Sequence, residues 1–145
     1  MNIIVKKTLA IDIARKNVVT CHPHEHINNV AKMMVDHWIS SVIVVEGDKP
    51  VGIVTDGIIL RLIAKGRNPL ELLTADIMVS PVYTIPMNNT LKEAENAFKK
   101  TKVARLAIVN EKGKLVGIIT KKDVERYEVH SLVEHMAARH HHPIL

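Results

Sequence analysis

Near the end of this chain an aliphatic run, Gly117-Ile118-Ile119, closes on Thr120-Lys121-Lys122-Asp123. An aspartate placed three residues after a threonine, where a helix begins, suits the binding of a ribose. Its carboxylate can accept hydrogen bonds from both hydroxyls of the diol, as the acidic residue of dinucleotide-binding folds does. The threonine hydroxyl and the free N–H groups of the helix start suit phosphate oxygens. The same pair at the same spacing also makes a plain helix cap, and the two residues alone leave both readings open. An earlier stretch reads Gly52-Ile53-Val54-Thr55-Asp56-Gly57-Ile58, with isoleucine at the place of the aspartate. Asp56 does not substitute for it, because two residues around a helix rotate a side chain by roughly 200°.

Three further clusters invite a chemical reading. His22, His24 and His26 alternate, and in an extended segment they would share one face, as ligands of a transition metal can. The matching stretch, Pro86-Met87-Asn88-Asn89-Thr90, holds no ligand and reads as a turn. No cysteine–histidine zinc spacing is present, so a solvated turn is expected here and no metal site. His140-His141-His142 before Pro143 reads as a frayed tail able to pick up metal in vitro. Cys21 stands beside His22, but neighbours on a strand point to opposite faces and make no nucleophile–base pair. With no Walker loop, nucleophile elbow or zinc-protease helix either, the expectation is a protein that is not an enzyme and requires no cofactor.

Both threonine-ended runs belong to a longer repetition, in which residues 12–54 reappear over residues 76–119. Asp12-Ile13 answers Asp76-Ile77, and Val42-Ile43-Val44-Val45 answers Leu106-Ala107-Ile108-Val109. The offset grows by one residue after the Glu46 turn. A unit present only twice is not a solenoid, whose repeats usually number three or more. It implies two halves that complete one another, with any binding site near their seam.

Each half opens on a short extended stretch, 17–20 and 81–85, followed by a turn and a helix. Ile27, Val30, Ala31, Met34 and Trp38 form the apolar stripe of the first helix, and Leu91, Ala94, Ala97 and Phe98 that of its counterpart. Thr90 with Glu93 predicts a capping box. Apolar runs at 42–45 and 51–54, and at 106–109 and 115–119, flank polar turns and read as buried hairpins. A second helix follows in each half. The first has the stripe Ile58, Ile59, Leu62 and Ile63 and ends at Gly66 and Pro69. The other carries Val124, Tyr127, Leu132 and Met136 and runs nearly to the histidine tail. The expected architecture is α/β (α+β), two β-α-β-β-α repeats packed about a pseudo-twofold. Repeat 1 is expected over 9–66 and repeat 2 over 73–130, with a C-terminal helix end and tail over 131–145.

At 145 residues the chain can bury roughly two-thirds of its unfolded surface in one compact unit. Hydrophobic residues make up 47% and aromatic residues only 3%, so the interior is expected to be aliphatic. The single cysteine excludes an intrachain disulfide and fits a reducing compartment. Residues 1–7 lack the apolar core of a leader peptide, and no run approaches a membrane span. A soluble, cytoplasmic protein is expected. The net charge of +5 is spread along the chain in short pairs such as Lys99-Lys100, and the four aromatic residues are not clustered. Both features weigh against nucleic acid as a partner and leave a phosphorylated small molecule open.

The tandem strand–helix–strand–strand–helix order with Gly-Ile-Ile-Thr-x-x-Asp resembles a pair of cystathionine-β-synthase (CBS) domains, over about residues 9–130. The resemblance implies two clefts for adenosine derivatives such as AMP, ADP, ATP or S-adenosylmethionine, a homodimer, and a regulatory role in which nucleotide occupancy changes shape. The regulated partner protein is not implied. In such pairs the threonine and aspartate of one repeat hold the ribose while main-chain groups of the other frame the adenine. Carried over, the stronger cleft uses Thr120 and Asp123 with Ala14, Ile39 and Ser40, and Arg105 occupies a phosphate-binding position. A guanidinium fork there suits phosphate; the plainer alternative is a surface ion pair worth under about 1 kcal/mol. The weaker cleft, Thr55 with Met78, Val103 and Ala104, has lost its diol acceptor to Ile58 and its cation to Ser41. The competing readings are a nucleic-acid-binding accessory protein and a ligand-free dimerisation domain.

Overall fold

A computed structural model describes residues 7–140; residues 1–6 of the opening segment and the tail residues His141, His142 and Pro143 lie outside the described residues. In chain order the first half runs α1 (Ala10–Ile13), β1 (Thr20–Cys21), α2 (Ile27–His37), β2 (Ser41–Glu46), β3 (Lys49–Thr55) and α3 (Asp56–Ala64). A 3-10 turn at Pro69–Glu71 leads to α4 (Thr74–Ile77), β4 (Thr84–Pro86), α5 (Leu91–Thr101), β5 (Arg105–Val109), β6 (Leu115–Thr120) and α6 (Lys121–His140). The α/β architecture of two strand–helix–strand–strand–helix repeats is the one expected. The opening strands are shorter than expected and shifted toward the helix, because only Thr20 and Cys21 in the first half find ladder partners on β2.

The two halves build separate three-stranded sheets, ordered β1-β2-β3 and β4-β5-β6, with one parallel and one antiparallel pairing in each. The antiparallel registers decide which side chains meet at the ends of the hairpins. Ser41 stands opposite Thr55 in one half and Arg105 opposite Thr120 in the other.

The single-turn helices α1 and α4 escape a periodicity reading because four residues hold too little pattern to recognise. They account for the repeated Asp-Ile pairs: the Asp12 carboxylate accepts from the Leu9 N–H at 3.0 Å and the Asp76 carboxylate from the Leu73 N–H at 2.9 Å. Each of these turns leads into a segment that crosses to the other half. Arg15 exchanges two 3.0 Å backbone hydrogen bonds with Ile118 of β6, while Val79 exchanges bonds of 2.9 and 3.0 Å with Ile53 of β3. A glycine lies under each crossing. A Cβ on Gly117 would sit 3.3 Å from the Arg15 carbonyl oxygen, and one on Gly52 3.1 Å from that of Val79. A Cβ at either position would require the crossing backbone to give by a few tenths of an ångström.

Burial follows from the crossing. Ala10 of α1 is packed into the second half's core with Ile85, Leu91, Phe98, Leu106, Ile108 and Ile119. Ile77 and Met78 pack reciprocally on the first half's core of Ile27, Val30, Met34, Val42, Val44 and Val54. A third cluster, Ile43, Val82, Ala107 and Ile118, joins the two sheets at the seam. The interior is aliphatic, with Phe98 its one buried aromatic residue among those described.

Three predicted stripes are corrected. Ile63 of α3 is 55% exposed, at the solvent edge of its stripe. Trp38 is 94% exposed, because α2 stops at His37 and Trp38 turns into a left-handed cap with φ of 54°. Leu132 and Met136, expected to face the core, are more than half and half exposed, together with Val129 and Val133. The helix α6 outruns the domain that Val124 and Tyr127 pack against, so among the described residues nothing covers the apolar side chains of its second half.

Candidate functional site

The hairpin end of β6 and the start of α6 set the first two groups. Thr120 and Asp123 cap the helix reciprocally: the Asp123 N–H donates to Thr120 Oγ1 at 3.0 Å, and the Thr120 N–H donates to Asp123 Oδ2 at 2.9 Å. The cap reading is therefore present in the structure, and it still leaves Asp123 Oδ1 with no partner in the protein among the described residues. A capped carboxylate is held in one orientation, which suits a diol acceptor.

Arg105 stands opposite Thr120 on the neighbouring strand. Its Nη2 donates to the Ser40 hydroxyl at 2.9 Å, a bond reaching from the second half to the first. Arg105 thus makes no surface ion pair among the described residues. The crossing segment brings Ala14 beside Gly117, and the turn after α2 brings Ile39 and Ser40.

All six residues, Ala14, Ile39, Ser40, Arg105, Thr120 and Asp123, line one cleft of about 750 Å³ at the seam. Inspection of the sequence missed several of their neighbours. Arg15, Lys121, Lys122 and Arg126 join Arg105 there, against the carboxylates of Asp123 and Glu125. Five basic groups facing two acidic ones focus a positive potential in a concave, partly apolar site. The signal for Lys122 and Arg126 was available as an i,i+4 pair on one helix face. That for Arg15 was not, since its place depends on a non-local strand crossing. Trp38 borders the same cleft.

The counterpart arrangement around Thr55 is different. Thr55 accepts from the Ile58 N–H at 3.2 Å and caps α3, while Asp56 turns back onto the Gly57 N–H at 2.7 Å. Among the described residues no carboxylate returns to Thr55. Met78 packs on the first half's core with its sulfur 2.7 Å from where a Gly52 Cβ would lie. Val103 packs on the other core. Ala104 borders the first cleft instead, its carbonyl accepting from the Lys121 N–H at 2.9 Å.

His22, Pro23 and His24 run through a turn after β1 rather than along a strand. His22 pairs with Glu25 at 3.1 Å, and His26 bridges backbone-to-backbone with Leu73. Among the described residues no three His, Cys, Asp or Glu side chains converge to hold a metal ion. Burial pushes the Cys21 thiol up, against the lowering effect of its hydrogen bond to Thr74, while the His22 side chain beside it is 60% exposed. Burial thus disfavours the thiolate that a nucleophilic cysteine needs. No described helix is long and apolar enough to cross a membrane.

Comparison with known proteins gives a consistent result. Residues 10–65 and 75–130 each match the model of a CBS domain. An uncharacterized protein of Methanopyrus kandleri, MK0525, is 37% identical over 130 residues, covering 86% of this chain and 66% of that protein. The chain spans 23% and 37% of the length of two other curated relatives. Among solved structures, the CBS domain pair of protein MJ0100 in complex with 5'-methylthioadenosine and S-adenosyl-L-methionine superimposes with a TM-score of 0.76. It is 26% identical, over 87% of this chain and 99% of that one. CBSX2 in complex with AMP superimposes with a TM-score of 0.71 at 22% identity, over 85% and 97% of the two chains. At that identity the likeness speaks to the fold.

Proposed function

The chain belongs to the CBS-domain family, two of whose domains it carries in tandem, and on that premise we propose that it is a regulatory module that binds an adenine nucleotide. The observation that carries the reading is the seam cleft, where Thr120, Asp123 and Arg105 of one repeat face Ala14, Ile39 and Ser40 of the other. Asp123 takes the ribose diol through its free oxygen. Arg105, with Arg15, Lys122 and Arg126 around it, takes the phosphates. The apolar wall, Ala14 and Ile39, takes the base. The structure of the MJ0100 pair, which holds two adenosine compounds, supports the ligand class. The charge of the cleft favours ADP or ATP over the sulfonium cation of S-adenosylmethionine, since like charges brought together in a partly desolvated site repel.

The nucleotide acts as a signal and undergoes no reaction. Occupancy regulates only where the ligand favours one arrangement of the repeats over another. The Arg105–Ser40 bond spans the two repeats, and phosphate competing for that guanidinium would alter their contact. The helix α6 starts at Lys121 inside the cleft and carries the change outward. Its uncovered Val129, Leu132, Val133 and Met136 support pairing with a second copy as a homodimer.

Calorimetric titration of AMP, ADP, ATP and S-adenosylmethionine into the wild-type protein and Asp123→Ala tests this reading. Binding near one site per chain, tightest for the compounds with more phosphates and lost in the variant, is expected. No heat from any of the four would leave a dimerisation domain without ligand.

A further inference from the structure

We propose that Trp38 is the base-recognition residue of the cleft, stacking its indole on the purine. The inference rests on the proposed adenine-nucleotide reading and assigns a determinant that the Thr–Asp motif does not contain. Trp38 borders the cleft beside Ile39 and Ser40 and exposes 94% of its surface. A tryptophan ordinarily buries most of its large apolar area, and none of the described residues covers this one.

Its backbone holds the ring there. The Ile39 N–H donates to the Met34 carbonyl at 3.0 Å, closing a Schellman turn in which Trp38 has φ of 54°. Glycine or asparagine takes that conformation at least cost, and a bulky side chain takes it only against steric resistance. The matching position of the second repeat, Lys102, adopts φ of 59°. The left-handed turn is thus common to both repeats, while the aromatic ring is confined to the repeat that faces the Thr120–Asp123 cleft. An exposed π-surface lining the same cleft as the diol acceptor Asp123 and the guanidinium of Arg105 can read an aromatic base without hydrogen bonds.

Trp38 is the sole tryptophan of the chain, so its fluorescence reports on this position alone. Titration of ATP, followed in parallel by calorimetry and by tryptophan emission, tests the proposal. The expected result is an emission change saturating with the calorimetric isotherm. Trp38→Ala is expected to weaken ATP by about tenfold or more and Trp38→Phe by less, in keeping with the cost of removing a stacked aromatic residue. Tripolyphosphate, which has no base, should bind wild type and Trp38→Ala alike. Circular dichroism checks that the variants fold, as expected for so exposed a side chain.

ATP binding with unchanged emission and unchanged affinity in Trp38→Ala would overturn the stacking role and leave the nucleotide reading intact. Emission that responds to protein concentration and not to ATP would assign Trp38 to contact between copies and overturn it too. Absence of ATP binding to wild type would overturn both readings.

Discussion

The two ends of the hairpins are built alike and equipped differently. At each, a threonine closes a strand and caps the following helix, with Thr55 bonded to Ile58 and Thr120 to Asp123. At each, the threonine faces a residue on the neighbouring strand, Ser41 in one repeat and Arg105 in the other. The backbone frame survives with isoleucine and serine where the other repeat has aspartate and arginine. The capping hydrogen bond of a threonine therefore suffices for the fold, and the carboxylate and guanidinium are surplus to it. Groups that the fold does not require, gathered with a tryptophan at one seam and not at the other, are best explained by a ligand.

The comparison breaks first at Asp123. Replacing it by alanine removes a charged acceptor of two hydrogen bonds. Each such bond contributes about 1.5–3 kcal/mol, so nucleotide affinity should fall about a hundredfold or more. Asp123→Asn, which keeps the cap acceptor, separates lost binding from a weakened helix start. Ile58→Ala should leave calorimetric affinity unchanged. Equal effects at the two positions would mean that the clefts do not differ in function.

Arg105→Gln should weaken ATP by about tenfold, the size of one charge-assisted bond to phosphate, and weaken adenosine hardly at all. An equal loss for adenosine would show that Arg105 acts through its bond to Ser40 instead. The converse experiment equips the poorer end. Ser41→Arg with Ile58→Asp should raise the calorimetric stoichiometry from one toward two, at an affinity below that of the native cleft because Lys102 stands where Trp38 does. A stoichiometry that stays at one would locate the deficiency in the walls.

The smallest expected effect concerns the helices α2 and α5. Glu93 accepts from the Thr90 N–H and hydroxyl, each at 3.0 Å, and those bonds hold its carboxyl below its ordinary value. A depressed carboxylate adds stability above its unfolded-state pKa, and that contribution is lost as pH falls through the folded-state value. The N-cap of α2, His26, makes no side-chain cap bond. Hydrogen-exchange protection at the first turn of α5, taken relative to the intrinsic rate at each pH, should fall on acidification through the carboxylate range, more than at α2. Equal loss of protection would show that the box contributes nothing.

Much of this could be read from the chain alone. Two copies of a local pattern disclose two copies of a local structure, and Thr90, Thr120 and the hairpin runs carry their roles in their immediate neighbours. What escaped was non-local. Arg15 reaches the cleft only because its segment crosses to β6, and Gly117 records that crossing without naming its partner. Trp38 lay on a helical stripe by spacing, yet the helix ends one residue earlier. Leu132 and Met136 follow the period of α6, and periodicity identifies a face without saying whether anything packs on it.

The reciprocal crossing of the lead segments bears on how such a chain could arise and how it can be cut. A break near Arg67 would leave two polypeptides, each holding the lead segment that bridges to its partner's sheet. They should reassemble on mixing, because each half's core is packed against residues of the other fragment's lead segment. A polypeptide with a single copy would meet the same need by trading lead segments with an identical molecule. Joining two such copies end to end then changes only connectivity, after which each half is free to diverge, one keeping the aspartate and arginine and the other losing them.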